Sequence, residues 1–505
     1  MNTSMQPIRK IVIVGGGSAG WIAAAVLGSQ FSREQLQVEL VESEEIGTIG
    51  VGESTIPPFL ELLQSLNIDE RDFIQQTQAS FKLGIEFSDW RVKGESYFHP
   101  FGTISAGMDE TVFYQSWLKS RQLGDGYELQ DFSPASVMAS QKKFMLPQQA
   151  QQSPIGEARY ALHLDAKLVA DYLRRHAENN GVKRTEGRVT DIQCRQDGFI
   201  DNLTLANGEQ IHGDFFIDCS GFRALLIEKT LGTDYSDWSH YLPCDRAVTI
   251  QTESTDTPPY TRAGAKDAGW MWRIPLQRRT GNGYVYASKF CSDDEALQTL
   301  LAGVEGKHLT EPHVIPFRTG VRREGWKANC LSLGLASGFI EPLESTAIHL
   351  VVRGMVHFMR NFPDRRCDAA LVREYNRRML MDYEEIRDFI VMHYCLTRRD
   401  DTPFWRWWQQ MERPQSLQET LDYFAVKGEL PETMDPLFAA VSWRSVCEGM
   451  GLRPQKYSAL IDKFDPAVTR AHFERYLKAI NEVVQKLPGH AEFIQKNCPH
   501  SQETA

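Results

Sequence analysis

IVIVGGGSAG, residues 11–20, is the most informative stretch of the chain. Its branched apolar residues predict a buried parallel strand, and its glycines predict a turn into a helix over residues 20–27. Gly15, Gly17 and Gly20 have the spacing G-x-G-x-x-G, which combines a tight turn, close backbone approach to a pyrophosphate and close helix packing. A second predicted strand, residues 38–41, ends at Glu42, where an acid can accept from a ribose hydroxyl. The stretch predicts a dinucleotide-binding unit; the alternative is a glycine-rich turn in an unrelated sheet.

Length and composition restrict the class of protein. The chain has 505 residues, 42% apolar and 24% charged, as expected of a soluble enzyme with one large and one smaller domain. A net charge of -11 argues against nucleic acid or an anionic membrane as the main partner. No apolar run is long enough to span a bilayer and no signal-peptide core is seen, so we expect a cytoplasmic protein. Nine scattered cysteines without C-x-x-C spacing predict reduced, mostly buried thiols and no metal site.

Several segments downstream contain turn and helix signals. The loop at residues 47–58, GTIGVGESTIPP, is predicted to cross the cofactor. Residues 60–73 predict one helix, and residues 159–181 predict a single amphipathic helix. FKLGIEF, residues 81–87, predicts a strand or the end of a strand with Lys82, which by itself indicates only a surface lysine.

The middle of the chain predicts a hairpin excursion and a return to the first sheet. Strands are expected over residues 188–194 and 199–205, because D-G and N-G dipeptides mark tight turns between them and the next strand. DFFIDCSG, residues 214–221, then predicts an apolar strand that runs into a small-residue loop. This layout resembles that of flavin monooxygenases that bind FAD.

Two later motifs and the C-terminal region complete the pattern. GWMWRIP, residues 269–275, predicts a strand with Trp270, Trp272 and Ile274 on one face and the two indoles stacked. GLASGFIEPLESTAIHL, residues 334–350, predicts an anion-binding helix N-terminus and two glutamates that by type alone would be solvated. From about residue 381 the composition predicts a helical unit.

The order of these motifs resembles the flavin-dependent halogenases of the tryptophan halogenase type. GGGSAGW, GESTIP, FKLGIEF, GWMWRIP and EPLEST carry the resemblance across nearly the whole chain. It implies an α/β (α+β) fold: an FAD-binding, Rossmann-like, flavin monooxygenase-type domain over residues 1–380, with a substrate-side insertion at about 85–155, and a mainly helical substrate subdomain over 381–505. It also implies a separate NAD(P)H flavin reductase that supplies FADH2, a halide ion, O2 and a small aromatic substrate. A homodimer is left open.

The resemblance assigns roles to individual residues. Lys82 would hydrogen-bond hypohalous acid or form a haloamine, and Glu344 would polarise the oxidant or accept the ring proton. Halide would lie by Thr346 and Ala347. The implied substrate wall is His99, Phe101 and Trp443, and the implied barrier between flavin and substrate is Trp270, Trp272, Ile274 and Pro275. The implied FAD contacts are Gly15, Gly17, Ser18, Ala19, Gly20, Glu42, Gly52, Ser54, Thr55, Ile56, Val189, Leu335 and Ile348.

Two departures from the family pattern affect the expected substrate. Ala347 follows Thr346 at the position where the family pattern has glycine, which predicts a less open approach of halide to the Ala347 amide. Trp443 and Arg444 stand where enzymes for free tryptophan have a tyrosine pair. The amino acid's charged groups would lose their partners and its ammonium would meet a like charge, so indole or an indole derivative is predicted rather than free tryptophan. The alternatives are a two-component flavin hydroxylase and a non-catalytic FAD-binding sensor.

Overall fold

A computed structural model describes residues 6–45, 52–433 and 435–500 of the chain. Residues 47–51 of the predicted cofactor-crossing loop therefore lie outside the described residues. No helix in the described ranges is long and apolar enough to cross a membrane. All nine cysteines are unpaired, most of them buried, although Cys194 is exposed.

The described strands are, in chain order, β1 Lys10–Val14, β2 Gln37–Glu42, β3 Gly52–Ser54, β4 Ser80–Lys82, β5 Gly84–Ser88, β6 Ser96–Pro100, β7 Ala161–Asp165, β8 Lys183–Glu186, β9 Val189–Cys194, β10 Ile200–Leu205, β11 Gln210–His212, β12 Phe215–Asp218, β13 Tyr235–Asp237, β14 Arg246–Glu253, β15 Thr261–Lys266, β16 Gly269–Pro275, β17 Arg279–Tyr286, β18 His313–Pro316, β19 Gly320–Arg322, β20 Trp326–Lys327, β21 Cys330–Ser332 and β22 Gly338–Phe339.

The described α-helices are α1 Ser18–Gln30, α2 Pro58–Ser65, α3 Glu70–Thr77, α4 Glu110–Gln122, α5 Pro134–Ser140, α6 Ala166–Asn179, α7 Asp293–Gly303, α8 Ala347–Arg360, α9 Ala369–Cys395, α10 Pro403–Gln410, α11 Gln415–Lys427, α12 Ala440–Gly449, α13 Pro466–Gln485 and α14 His490–Asn497. Among the shorter helical turns, the 3-10 segments Gly334–Ala336 and Pro342–Glu344 bear on the site, and Leu225–Thr230 is a π-helix.

The first sheet has the strand order β20-β21-β12-β1-β2-β8. β1 is paired in parallel with both β2 and β12, so it lies at the centre, and its apolar residues are fully buried. The carboxyl ends of these strands meet at one edge, where ligands bind in open α/β sheets. The predicted α/β fold class is confirmed, and so is the hairpin excursion β9-β10-β11.

Two further sheets position the rest of the site. A seven-stranded sheet, β18-β14-β17-β16-β15-β5-β6, contains the GWMWRIP strand near its middle. A small antiparallel sheet, β3-β7-β4, places the GEST segment and the strand of Lys82 on either side of β7. Lys82 thus belongs to the same small sheet as the predicted flavin loop.

Four predicted elements were wrong in extent. The helix expected over 159–181 is a strand, β7, followed by helix α6, because alternating Ala161, Leu162, His163 and Leu164 are all buried in a sheet. The helix expected over 60–73 is two helices, since Asp69 begins a new one by capping the amide of Asp72.

The strand expected over 81–87 is broken at Leu83, whose amide donates to Pro259, so β4 and β5 belong to different sheets. The first helix runs from Ser18 to Gln30, beyond residues 20–27 at both ends.

The predicted boundary at residues 380 and 381 lies inside the continuous helix α9. α9 contacts α8, α10, α11 and α12, so the C-terminal helices share its packing. The division into two domains stays a prediction.

Candidate active site

The glycine-rich turn after β1 has the form that a pyrophosphate site needs. Gly15 has φ +115°, and a Cβ there would lie 2.2 Å from the Cys219 carbonyl oxygen. A Cβ on Gly20 would lie 1.9 Å from the Gly15 carbonyl oxygen, so α1 packs directly on the turn. A Cβ on Gly17 would meet nothing within 4 Å. The turn is tight at both ends and open in the middle, where α1 begins with free amides at Ser18 and Ala19.

Glu42 lies directly over this turn. Its Oε1 accepts from Arg184 Nε at 2.5 Å, and a Cβ on Gly16 would overlap the Glu42 carboxylate. The acid therefore stands where an adenosine ribose would follow the pyrophosphate.

The other predicted cofactor residues surround the same edge. A Cβ on Gly334 would lie 2.9 Å from Ala19, which brings the 3-10 turn with Leu335 against α1. Ile348 is buried at the start of α8, which packs on α1. Val189 packs on the cluster beneath β1 and β2. The arrangement fits FAD.

Lys82 is fully buried. Its Nζ donates to the Thr55 carbonyl oxygen at 3.1 Å and to Ser345 Oγ at 2.9 Å, and lies 5.0 Å from the Phe101 ring centroid. An ammonium has three donors, so these two bonds leave one for a ligand. Burial lowers the pKa of Lys82 to about 7, although the Glu344 charge opposes the shift. The surface position predicted from its residue type is wrong, because all three residues of β4 are buried.

Glu344 is 1% exposed and lies between two histidines. His99 Nδ1 is 2.9 Å from Glu344 Oε2, and His393 Nε2 is 2.8 Å from Glu344 Oε1 in a close but bent contact. Tyr97 Oη lies 2.6 Å from His393 Nδ1. Burial alone would raise the pKa of Glu344, but the two imidazoles outweigh it and hold this pKa at about 2. Glu344 is thus a buried carboxylate, not a solvated one.

Glu341, three residues earlier, is also fully buried. Its Oε2 accepts from Trp270 Nε1 at 2.7 Å and from Tyr394 Oη at 2.6 Å. Burial raises the pKa of Glu341 to about 7 despite these bonds. Glu341 fixes the first tryptophan of the predicted barrier.

The barrier strand has the predicted alternation. Trp270, Trp272 and Ile274 belong to the main core, whereas Met271 belongs to a separate cluster on the other face. The indoles are not stacked: their centroids are 6.0 Å apart and the ring planes are tilted by 54°. Glu341 anchors Trp270 through its ring nitrogen, whereas Trp272 Nε1 has no hydrogen-bond partner among the described residues.

The predicted halide residues form the start of α8. Thr346 is its N-cap and is 2% exposed, whereas Ala347 is exposed. The first-turn amides of a helix have no acceptor within the helix and attract anions. The less open approach expected at the Ala347 amide stays a prediction.

The predicted substrate wall is aromatic. His99 lies 6.3 Å from Phe101 and 5.7 Å from Phe389 between ring centroids, and Trp443 packs edge-on against Phe389 at 5.1 Å. Phe438 stacks on Phe389 at 3.8 Å. The wall is built from β6, α9 and α12.

Arg444 has its own partners. Its guanidinium lies 4.5 Å from the Tyr114 ring centroid, and its Nη2 is 3.8 Å from Glu429 Oε2. It follows Trp443 by about 100° around α12 and so faces α4. The expectation that it would repel a substrate ammonium is therefore not supported.

Comparison with known proteins decides the family. The tryptophan halogenase family model matches residues 10–466. The chain belongs to the tryptophan halogenase family. It is a flavin-dependent halogenase, as the motifs predict, and hence an enzyme.

The relatives of this halogenase include proteins of known structure. The tryptophan 6-halogenase of Streptomyces toxytricini is 33% identical over 96% of this chain and 97% of its own length. A flavin-dependent halogenase from Xanthomonas campestris is 42% identical, with a TM-score of 0.94 over 99% of this chain and 100% of that chain. One from Brevundimonas sp. BAL3 is 40% identical, with a TM-score of 0.93 over 97% and 99%.

Sequence reasoning missed several residues of the halogenase site. His393 and Tyr394 lie in the apolar last turns of α9, where single polar residues give no signal of contact with a distant loop. Ser345 has φ 60°, the left-handed region, and this strained conformation brings its hydroxyl to Lys82. Its place inside EPLEST was the one available signal.

Proposed function

We propose that this halogenase uses FADH2, O2 and bromide or chloride to make hypohalous acid, and then halogenates an electron-rich aromatic. The observation that carries the proposal is a buried Lys82 with one free donor, beside an aromatic wall and a carboxylate held by two histidines. A hydroxylase would need neither the lysine nor that carboxylate.

FAD would be held by the glycine turn, Glu42 and the start of α8. When bound in reduced form, it supplies the activation of O2 that converts halide into hypohalous acid. We propose that a separate NAD(P)H flavin reductase provides it, because the chain has one G-x-G-x-x-G. Halide would be held by Thr346 and the amides at the start of α8.

Lys82 places the oxidant. Its third donor can hydrogen-bond the oxygen of hypohalous acid, or its neutral form can take the halogen as a haloamine. With a pKa of about 7, both forms are available near neutral pH. Either form presents one electrophilic halogen next to Phe101 and the aromatic wall.

Glu344 removes the ring proton. After the halogen adds to the ring, the C–H bond breaks, its electron pair restores aromaticity and the proton goes to a Glu344 oxygen. The two histidines keep this carboxylate ionised before the transfer.

The barrier of Trp270, Trp272, Ile274 and Pro275 would separate the aromatic substrate from the flavin. Glu341 holds Trp270 in place, so the wall is fixed. Only a small oxidant would pass, which favours halogenation over direct hydroxylation.

The substrate we propose is indole or an indole derivative. Trp443 offers an apolar ring where a tryptophan zwitterion would need polar partners, and an unpaired buried ion costs several kcal/mol, on the order of ~3–5. Free tryptophan is the competing substrate, because the similar enzyme of Streptomyces toxytricini is a tryptophan 6-halogenase.

A reconstituted assay tests the reaction. Protein, FAD, NADH, a flavin reductase, bromide and indole should give bromoindole, and omission of bromide should stop the reaction without new products. Hydroxylated indole formed without halide would establish the hydroxylase instead.

The need for a reductase is tested separately. NADH or NADPH alone should leave the flavin band of the FAD-loaded protein unchanged in stopped flow. Bleaching without reductase would contradict the proposed partner.

Competition kinetics test the substrate. With bromide and equal concentrations of indole and tryptophan, indole should react faster. A higher rate on tryptophan would overturn the substrate proposal and leave the halogenase proposal intact.

A further inference from the structure

Three residues of the small sheet lie side by side. Ser54 in β3 and Ser80 in β4 both pair with His163 in β7. Because side chains alternate along a strand, Lys82 shares the face of Ser80 and lies one step further along β4. The face that presents the catalytic lysine therefore also contains a serine, a histidine and a second serine at one register position.

Continuous hydrogen bonds connect these side chains. Ser54 Oγ is 3.2 Å from Thr261 Oγ1, and Thr261 Oγ1 is 3.0 Å from His163 Nε2. His163 Nδ1 is 3.0 Å from Ser80 Oγ, which is 2.5 Å from the Pro275 carbonyl oxygen. His163 and Ser80 are fully buried, and Thr261 is 4% exposed.

Donor rules give this chain of bonds one direction. The Pro275 carbonyl can only accept, so Ser80 donates to it and accepts from His163 Nδ1–H. Burial, followed by the charges of Lys82 and His490, holds the pKa of His163 well below its ordinary value, so the ring is neutral and Nε2 must accept. Thr261 then donates to Nε2 and accepts from the Ser54 hydroxyl.

The two ends of the chain of bonds belong to different parts of the site. Ser54 is in the GEST segment proposed to contact the flavin, and Pro275 closes the barrier strand. Thr55, next to Ser54, accepts from Lys82 through its carbonyl oxygen. The flavin segment, the lysine strand and the barrier are thus joined at His163.

Resting on the proposed function, we infer that Ser80, His163 and Thr261 are positioning residues that set the lysine strand relative to the flavin segment and the barrier, so that hypohalous acid reaches Lys82 instead of escaping. A buried polar network with every bond made holds the segments that it joins in one arrangement, because breaking one bond leaves an unpaired buried polar group.

The experiment compares Thr261→Val with Thr261→Ser in the full chain with FAD and reductase. Two quantities are measured together: total hypohalous acid formed, trapped by a reactive diketone when indole is absent, and bromoindole formed when indole is present. Thr261→Val should lower the ratio of product to oxidant by ~5- to 100-fold, in line with the cost of small misplacements of reacting groups. Thr261→Ser retains the hydroxyl and should stay within about twofold of the parent.

Ser80→Ala breaks the same chain of bonds at another point. It should lower the ratio as Thr261→Val does, and the double variant should be no worse than the single ones, because both act on one network. An unchanged ratio in both single variants would overturn the inference, and so would an equal loss in Thr261→Ser and Thr261→Val.

Nitrogen NMR of protein labelled at histidine tests the direction of these hydrogen bonds without turnover. His163, assigned by the signal lost in His163→Gln, should be the neutral Nδ1–H tautomer between pH 6 and 8. An Nε2–H or charged ring would contradict it. If the parent makes neither oxidant nor product, the proposed function fails, while the NMR result still decides the direction of the bonds.

Discussion

Glu341 and Glu344 lie three residues apart in one segment and are equally buried, yet their surroundings differ in kind. Glu341 is bound by two neutral donors, Trp270 and Tyr394, and its pKa is raised to about 7. Glu344 is bound by two imidazoles, and its pKa is held at about 2. Burial sets the cost of the charge, and the neighbours decide whether the charge is kept.

This difference separates two roles within one motif. A carboxyl group that is mostly protonated just below neutral pH can anchor the barrier without adding a full charge beside the flavin site. A carboxylate that stays ionised can accept a proton from a halogenated ring. The sequence alone predicts the same surroundings for the two glutamates, because residue type and spacing do not identify the hydrogen-bond donors around each.

The largest expected effect concerns Lys82, whose pKa is raised by the nearby charge of Glu344 and lowered by burial. Lys82→Ala should abolish halogenation while hypohalous acid is still released, because the lysine acts after the flavin steps. Both products are measured in one reductase-coupled assay, with Lys142→Ala, which changes an exposed lysine, as the control.

Loss of hypohalous acid in Lys82→Ala would place the lysine in flavin chemistry. The control should match the parent in both products.

The next largest effect is on the pH dependence of the free energy of unfolding. Glu341 has a folded-state pKa raised from 4.5 to about 7, so its contribution is complete below pH 4.5 and is lost as pH rises through 7. Relative to Glu341→Gln, the parent should lose about 3 kcal/mol of unfolding free energy between pH 5 and 8. Urea unfolding at both pH values measures this difference.

Glu344→Gln is the matched control for that slope. The pKa of Glu344 is lowered, so this carboxyl group's own contribution is present above pH 4.5 and falls only below it, and Glu344→Gln should leave the Glu341-dependent loss between pH 5 and 8 in place. If Glu341→Gln and the parent lost equal unfolding free energy between pH 5 and 8, the proposed difference between the two carboxyl groups would be wrong.

A smaller effect is expected from Tyr394→Phe. It removes one of two donors to Glu341 Oε2 and should cost about 1 kcal/mol of unfolding free energy. Halogenation should stay within about twofold of the parent, since transition-state contacts are unchanged. Thermal unfolding measures the stability, and the indole assay measures turnover. If turnover falls more than the loss of folded protein explains, Tyr394 takes part in halogenation.

The sequence predicted the parts of the fold that local patterns specify. The first strand, its glycine turn, Glu42, the β9-β10-β11 hairpin and the barrier strand all follow from spacing and turn residues. The family resemblance predicts Lys82 and Glu344 as site residues, and the structure buries both.

What could not be predicted depends on contacts between distant segments. The polar and apolar residues of the 161–165 strand also fit a helical period, and only pairing with β3 and β4 decides between strand and helix. His393 and His163 reach the site through packing of α9 and β7, which no local pattern encodes. The indole preference also stays a prediction, since it depends on groups around Trp443.

The most direct test compares kcat for indole bromination in Glu344→Gln and Glu341→Gln at pH 6, where Glu341 is mostly protonated and an amide resembles it. We expect a loss of ~10²- to 10⁴-fold for Glu344→Gln, the usual value of general base catalysis, and a change within about threefold for Glu341→Gln. A loss below about threefold in Glu344→Gln, or an equal loss in both variants, would contradict the role of Glu344 as the proton acceptor.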